Sequence, residues 1–392
     1  MPAEPLSSAT ASGRWEGSVE ASVPRTSRGK TVLLFALFVA ALALRIVLLA
    51  THHGNADSAG FQYAARIGNA RLYSGETLFN YSPGWAYVLF GVEGFGRLVD
   101  LPFHYVLGLF YLAADIATTL LIGRERGLSG AMLFFLNPVS ILASSYYLQF
   151  DGLSILCLLA AIVASRLSRR AMLFWSTVFL SLSLLIKHIT WFHPLLFVRQ
   201  RRLGFTQMLI PLAAYAVFAL SFVPYWHFWP GIKAQVLNYR SVSEDYGLAA
   251  LGLSYETRQT IFVAVLLATV WLLRAVPLQR AALMTFLVVL LFIPGVWEYY
   301  FLWPIALGAL CGGGVGFAFY TAVVALFMLG SPDGLGLQDR VPQLPGWSSL
   351  WFATAFWLLW EVRRLRREGP PAGGRIEETL SRRRSEVAPQ TL

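Results

Sequence analysis

The chain alternates long apolar runs with short basic interruptions. Thr31–Ala50 is an apolar stretch about long enough to cross ~30 Å of hydrocarbon as a helix rising 1.5 Å per residue. Further runs follow at 104–122, 129–147, 151–167, 171–188, 189–199, 203–223, 259–274, 281–295, 299–311, 314–330 and 347–362. The pattern predicts an all-α fold, a polytopic membrane helical bundle of about twelve transmembrane helices. Residues 31–362 form the membrane domain, between a polar, disordered cytoplasmic tail at 1–30 and a basic, disordered cytoplasmic tail at 363–392.

The interruptions set the orientation. Arginines cluster at 124/126, 166/169/170, 199/201/202, 274/280 and 363/364/366/367, and such clusters mark cytoplasmic loops. Residues 83–98 decide the register. If they cross, the Arg124/Arg126 loop and every later cluster are inverted; if they lie in the interface, all the clusters share one side. Glu93 and several glycines interrupt this segment, so it is expected to be interfacial, with both termini cytoplasmic. That leaves outer loops at 51–103 and 224–258. Each carries an interfacial helix: residues 58–73 set Phe61, Ala65 and Leu72 against Arg66 and Arg71, and WPGIKAQVLNYRS has the same amphipathic character.

Composition agrees. Hydrophobic residues make up 56% and charged residues 13%, with a mean hydropathy of +0.58, against about 25% charged residues in soluble domains. Disorder of the whole chain is excluded by 28 Phe, 16 Tyr and 13 Trp. The net charge of +10 is scattered between apolar runs, which excludes a nucleic-acid partner. Cys157 and Cys311 lie inside apolar runs, so neither a disulfide framework nor a cysteine metal site is expected. The use of 28 Arg against three Lys points to a GC-rich genome and a bacterial plasma membrane.

With the sides assigned, the ionisable groups of the spans and loops gather on the outer face. They are Asp57; Gln149 and Asp151 in YYLQFDGL; Lys187, His188 and His193 in LLIKHITWFHP; Tyr239, Arg240, Glu244, Asp245 and Tyr246 in the 224–258 loop; and Glu298 in WEYY. Ionisable groups at membrane depth are functional candidates. Each also has a plainer role: Asp57 as a solvated loop acid, Lys187 snorkelling or paired with Asp151, Gln149/Asp151 capping a helix, Glu298 in an aromatic belt. Asp115 is expected to order helix packing or pair with an arginine. His188 and His193 are five apart and off a common helical face, so no metal is expected. No phosphate loop, dinucleotide fingerprint, HExxH or GxSxG occurs.

An acid soon after the first span, a stretch ending in NYSPGW, then QFDGL and LSLLIKHITWFHP, resembles the GT-C superfamily of multi-span glycosyltransferases. Within it, the bacterial and PIG-M-like mannosyltransferases are the most similar in these motifs. The resemblance covers roughly residues 31–260. It implies a hexose, mannose first, moved with inversion from a polyprenyl-phosphate sugar to a lipid, glycan or protein acceptor on the outer face, with no cofactor. Asp57 is then the catalytic base. Lys187, His188, Arg240 and Arg66 meet the donor phosphate, and Gln149, Asp151, His193, Tyr239 and Glu298 bind sugar or acceptor. Many relatives carry paired acids in the first loop; here Asp57 stands alone, with Asn55 two residues earlier. The competing class is a transporter or flippase of a lipid-linked or anionic substrate. It needs a midplane site open to both faces, whereas the cytoplasmic half is nearly free of ionisable groups.

Overall fold

The computed structural model describes residues 28–75, 79–199, 207–238, 246–331 and 346–368. Among these, every regular element is helical. In chain order they are α1 (Arg28–Thr51), α2 (Ala56–Ile67), α3 (Pro83–Leu98), α4 (Phe103–Phe135), α5 (Pro138–Ile141), α6 (Asp151–Ala164), α7 (Arg169–Ile186), α8 (His193–Leu196), α9 (Leu209–Leu220), α10 (Trp229–Ile232), α11 (Tyr255–Leu272), α12 (Leu278–Phe292), α13 (Trp303–Leu310), α14 (Val315–Gly330) and α15 (Trp347–Glu368).

Four of these helical stretches are long and apolar enough to cross a membrane: Gly29–Thr51, Phe103–Phe135, Arg169–Ile186 and Tyr255–Ala275. A fifth arises if Leu209–Leu220 and Val223–Leu237, bent by 52° to each other, count as one. Among the described residues these four or five are the candidates, with Asp151–Ala164, Leu278–Phe292 and Val315–Gly330 as shorter apolar helices, so a count of twelve is not confirmed. The run 189–199 breaks into single turns at 188–190, 193–196 and 197–199, because Pro194 sits in its middle. The run 299–311 is a 3-10 turn followed by the eight-residue α13. Residues 363–368, expected in the basic tail, continue α15 to Glu368, where Arg364 and Glu368 pair at i,i+4 (3.1 Å).

The 33-residue α4 is itself two helices. Gly127, at φ +71°, leaves the helical region. A Cβ on Gly123 would lie 3.4 Å from that of Ala131, whereas eight residues of straight helix separate two positions by about 12 Å. The chain thus doubles back at Gly127, as the split between 104–122 and 129–147 requires.

Opposite ends of the bundle are chemically distinct. At one, Arg126 donates to the Leu310 carbonyl (2.5 Å), Arg166 pairs with Glu125 and reaches Gln279 (3.3 Å), and Arg280 pairs with Glu368 (2.9 Å). The 124/126, 166, 280 and 364 arginines therefore share an end. At the other lie the last residues of α1 and α7 and the first of α4 and α6. A Cβ on Gly108 in α4 would touch Leu49 of α1. Helix α3 starts and finishes at this same end. Ser82 donates to the Leu185 carbonyl and Gly84 packs on Leu185, while Gly96 abuts Leu101 and Val106. A helix returning to its own level does not traverse the bundle, as expected for 83–98.

The two stretches expected to be interfacial are both largely helical, and they meet. Helix α2 buries Ser58, Phe61, Ala64 and Ala65 and leaves Arg66 exposed. The second element is helical from Val223 to Leu237. Tyr225 donates to Asn69 Oδ1 (2.6 Å), and Gly231 lies against the Tyr73 carbonyl. Outward surfaces are apolar: Phe35, Leu212, Leu220, Trp271 and Leu272 are among the exposed large side chains, as lipid-facing positions require.

Candidate functional site

The site forms where α1, α4, α6, α7 and the turn before α13 converge. Asn55 caps α2, its side-chain oxygen accepting from the Asp57 amide (3.1 Å). This cap satisfies a free amide at the helix start and presents the half-buried Asp57 carboxylate inward. Gln149 Nε2 donates to both Asp57 Oδ2 (3.1 Å) and Asn55 Oδ1 (3.2 Å). The Tyr299 hydroxyl donates to the same Asp57 oxygen (2.8 Å). Gln149 is 1% exposed, and its Oε1 has no partner among the described residues. A buried amide oxygen left free is costly, and here it stands beside the one carboxylate of the group that solvent reaches.

Behind Asp57 lies a second charged unit. Lys187 Nζ contacts both oxygens of Asp151 (2.8 and 2.7 Å), and Trp303 Nε1 donates to Asp151 Oδ1 (2.5 Å). The ammonium also sits 4.8–5.8 Å from the ring centres of Tyr81, Phe150, Tyr299 and Tyr300. Ring faces attract a desolvated cation, so the pair is enclosed by aromatics as well as neutralised. Trp85 of the NYSPGW stretch stacks on Phe150 (4.1 Å). Tyr299 belongs to both units: its hydroxyl holds Asp57 and its ring covers Lys187.

The expected residues separate into three groups. Asp57, Gln149, Asp151 and Lys187 come together, and His188 lies next to Lys187, half-buried, with Nδ1 unpartnered among the described residues. Lys187 has the partner that the plainer alternative gave it, Asp151, and Asp151 spends its oxygens there instead of capping α6. Three others point elsewhere. His193 packs on α12, with its ring 4.1 Å from Phe286 and Nε2 3.3 Å from the Ala282 carbonyl. Arg66 is about two and a half helical turns from Asp57 along α2 and faces Glu93 (3.4 Å), which Arg97 also holds. Glu298 turns away from Tyr299 to accept from Ser331 (2.7 Å). Tyr239, Arg240, Glu244 and Asp245 lie outside the described residues.

Tyr299, Trp303 and the second role of Asn55 were not legible as site chemistry. Tyr299 stood inside WEYY, where an acid among aromatics reads as an interfacial belt. Arg45 was missed too, although an arginine in the middle of the first apolar run was the signal. It is fully buried and pairs with Asp115 (2.6 Å), as expected of Asp115.

No family model, no curated protein and no solved structure matches the chain.

Proposed function

We propose that the chain is an integral-membrane glycosyltransferase. It moves a hexose, mannose first, from a polyprenyl-phosphate donor to a lipid, glycan or protein acceptor at the outer face of a bacterial plasma membrane, with inversion. One observation carries this: a solvent-reachable Asp57 carboxylate, oriented by donors from two distant segments, at the end of the bundle opposite the arginines. A carboxylate so oriented can take the proton of an acceptor hydroxyl as that oxygen attacks the anomeric carbon. Holding acceptor and donor in line supplies the rest of the rate by positioning. The sugar then rests against the aromatic wall around Lys187–Asp151, whose charge is already neutralised. That pairing, and the pairing of Arg66 with Glu93, leave Arg240 and His188 for the leaving phosphate.

The test uses membranes holding wild type or Asp57→Asn at matched expression, supplied with polyprenyl-phosphate mannose labelled in the sugar. Label leaving the lipid donor for a new product is expected with wild type. Loss of a positioned base lowers the rate by ~10²–10⁴-fold, so Asp57→Asn should be near background. Full transfer by Asp57→Asn overturns the role given to Asp57. Label that stays on the donor but changes leaflet identifies a flippase instead.

A further inference from the structure

The arginine end carries a cleft that glycosyl transfer does not use. Helix α14 starts directly after Gly312, Gly313 and Gly314, whose φ values are +89°, +63° and +126°. Glycine alone enters these conformations freely, and three successive glycines leave that wall without side chains. Facing it are Trp360, Arg363, Arg364 and Arg367 on the last turns of α15, around a space of about 270 Å³. Arg364 braces the wall by donating to the Cys311 (3.3 Å) and Gly313 (3.4 Å) carbonyls.

Of the nearby carboxylates, Glu368 is engaged, whereas Glu361 keeps Oε2 without a hydrogen-bond partner among the described residues. Glu368 holds Arg280 and Arg364, and Glu361 is buried 4.0 Å from Arg364. Arg363 and Arg367 stand one helical turn apart, exposed, and neither forms an ion pair among the described residues. The Trp360 indole nitrogen lies 3.4 Å from where a Cβ on Gly314 would be. The first amides of α14 have no intrahelical partner and carry the positive end of the helix dipole. Two uncommitted guanidinium forks, an indole N–H and a helix start thus border one small space. All of these are donors, and they converge on a compact, multiply charged acceptor.

We propose that this cleft binds a phosphate-bearing anion. Guanidinium groups grip phosphate oxygens two at a time, and the bare glycine wall admits the group close to backbone. The source is either the headgroup of an anionic phospholipid or free phosphate. The proposal rests on the membrane placement of the bundle and not on glycosyl transfer.

The experiment takes the full chain purified in detergent and counts bound lipid by native mass spectrometry. It is incubated with phosphatidylglycerol or phosphatidylcholine, with and without inorganic phosphate. Two double variants remove equal charge. Arg363→Gln/Arg367→Gln strips the cleft, and Arg124→Gln/Arg366→Gln strips exposed arginines of the same end that do not line it. Wild type and the second variant should each retain phosphatidylglycerol over phosphatidylcholine. The first variant should retain it about tenfold less, the value of one or two charge-assisted hydrogen bonds. Phosphatidylglycerol resisting inorganic phosphate identifies the lipid as occupant; displacement by millimolar phosphate identifies the free anion. Equal loss in both double variants overturns the site and leaves only a diffuse positive belt; no preference over phosphatidylcholine in wild type overturns the site outright.

Discussion

Among the described residues two ion pairs are buried in the bundle, and they are built differently. Arg45, in α1, meets Asp115 at 2.6 Å and also donates to Ser144 Oγ (2.8 Å), Ser140 Oγ (2.7 Å) and the Phe135 carbonyl (3.1 Å). Ser144 donates to Asp115 as well. Hydroxyls and carbonyls from residues 135–144 thus meet both charges, leaving Arg45 Nε without a partner among the described residues, and the pair fastens that segment to the first helix. Lys187–Asp151 has one further donor, Trp303, and otherwise meets the faces of rings. Its surroundings continue outward through Tyr299 to Asp57. The first pair is a fastening within the helices, whereas the second lies behind the half-buried Asp57. A buried ion pair alone is weak evidence of function; what lies beyond it distinguishes the two.

The largest expected effect tests this difference directly. Arg45→Gln and Lys187→Gln each leave a carboxylate buried without its partner, at a cost of about 3–5 kcal/mol. Thermal unfolding of the solubilised chain should show both losses. Apolar double replacement removes the stranded charge. Arg45→Met/Asp115→Leu should recover stability and transfer activity together, while Lys187→Met/Asp151→Leu should recover stability alone. Recovery of transfer in both makes the second pair no more than a packing device.

A smaller effect is expected at the two groups that hold Asp57. Tyr299→Phe and Gln149→Leu each remove one hydrogen bond to Asp57, about 1 kcal/mol or up to roughly tenfold in transfer rate. Because both act on one carboxylate oxygen, the double variant should fall short of the product of the single losses. Simple multiplication of the two losses shows that they act separately, and then Asp57 is not their common target.

The smallest effect belongs to the arginine end, where charges are solvated. The hydrogen bond and charge of Arg280, aided by Arg364, hold the Glu368 carboxyl down to about 2. A depressed carboxyl contributes stability above its ordinary value near 4.5 and loses it as pH falls toward 2. Glu368 is largely exposed, so salt and solvent reduce the contribution. Wild type should unfold slightly above Glu368→Gln at neutral pH, and the gap should close between about pH 4.5 and 2. A gap as wide as that from Lys187→Gln contradicts the contrast between the ends.

The parts readable in the sequence are those carried by local pattern. Period and hydropathy located the helices around Thr31–Ala50, 104–122 and 171–188. Arginine spacing grouped one end, and cost at depth singled out Asp57, Gln149, Asp151 and Lys187. Breaks in helices were less readable, because Pro194 and Gly127 act on geometry that a window average hides. The partners of Asp57 were unreadable for another reason. Tyr299 lies 242 residues away, and a contact of that separation exists only once the bundle is assembled. Arg66 and His193 misled because charge and ring type name a capability, while Glu93 and Phe286 decide where each side chain is spent.

The passage from Glu298 to Leu310 combines a five-residue 3-10 turn with an eight-residue α-helix, a rise of about 22 Å. Set in a bilayer, so short a crossing exposed to acyl chains would draw the leaflets together or tilt, with mismatch strain for each missing ångström. All eight residues of α13 are buried, so acyl chains meet its neighbours and not the short helix. The burial of α13 thereby spares surrounding lipid that strain, while the turn before it still carries the Tyr299 hydroxyl to Asp57 (2.8 Å). In the proposed glycosyl transfer, the acceptor hydroxyl has to reach a half-buried carboxylate, which favours substrates with a slender, extended end over bulky folded ones.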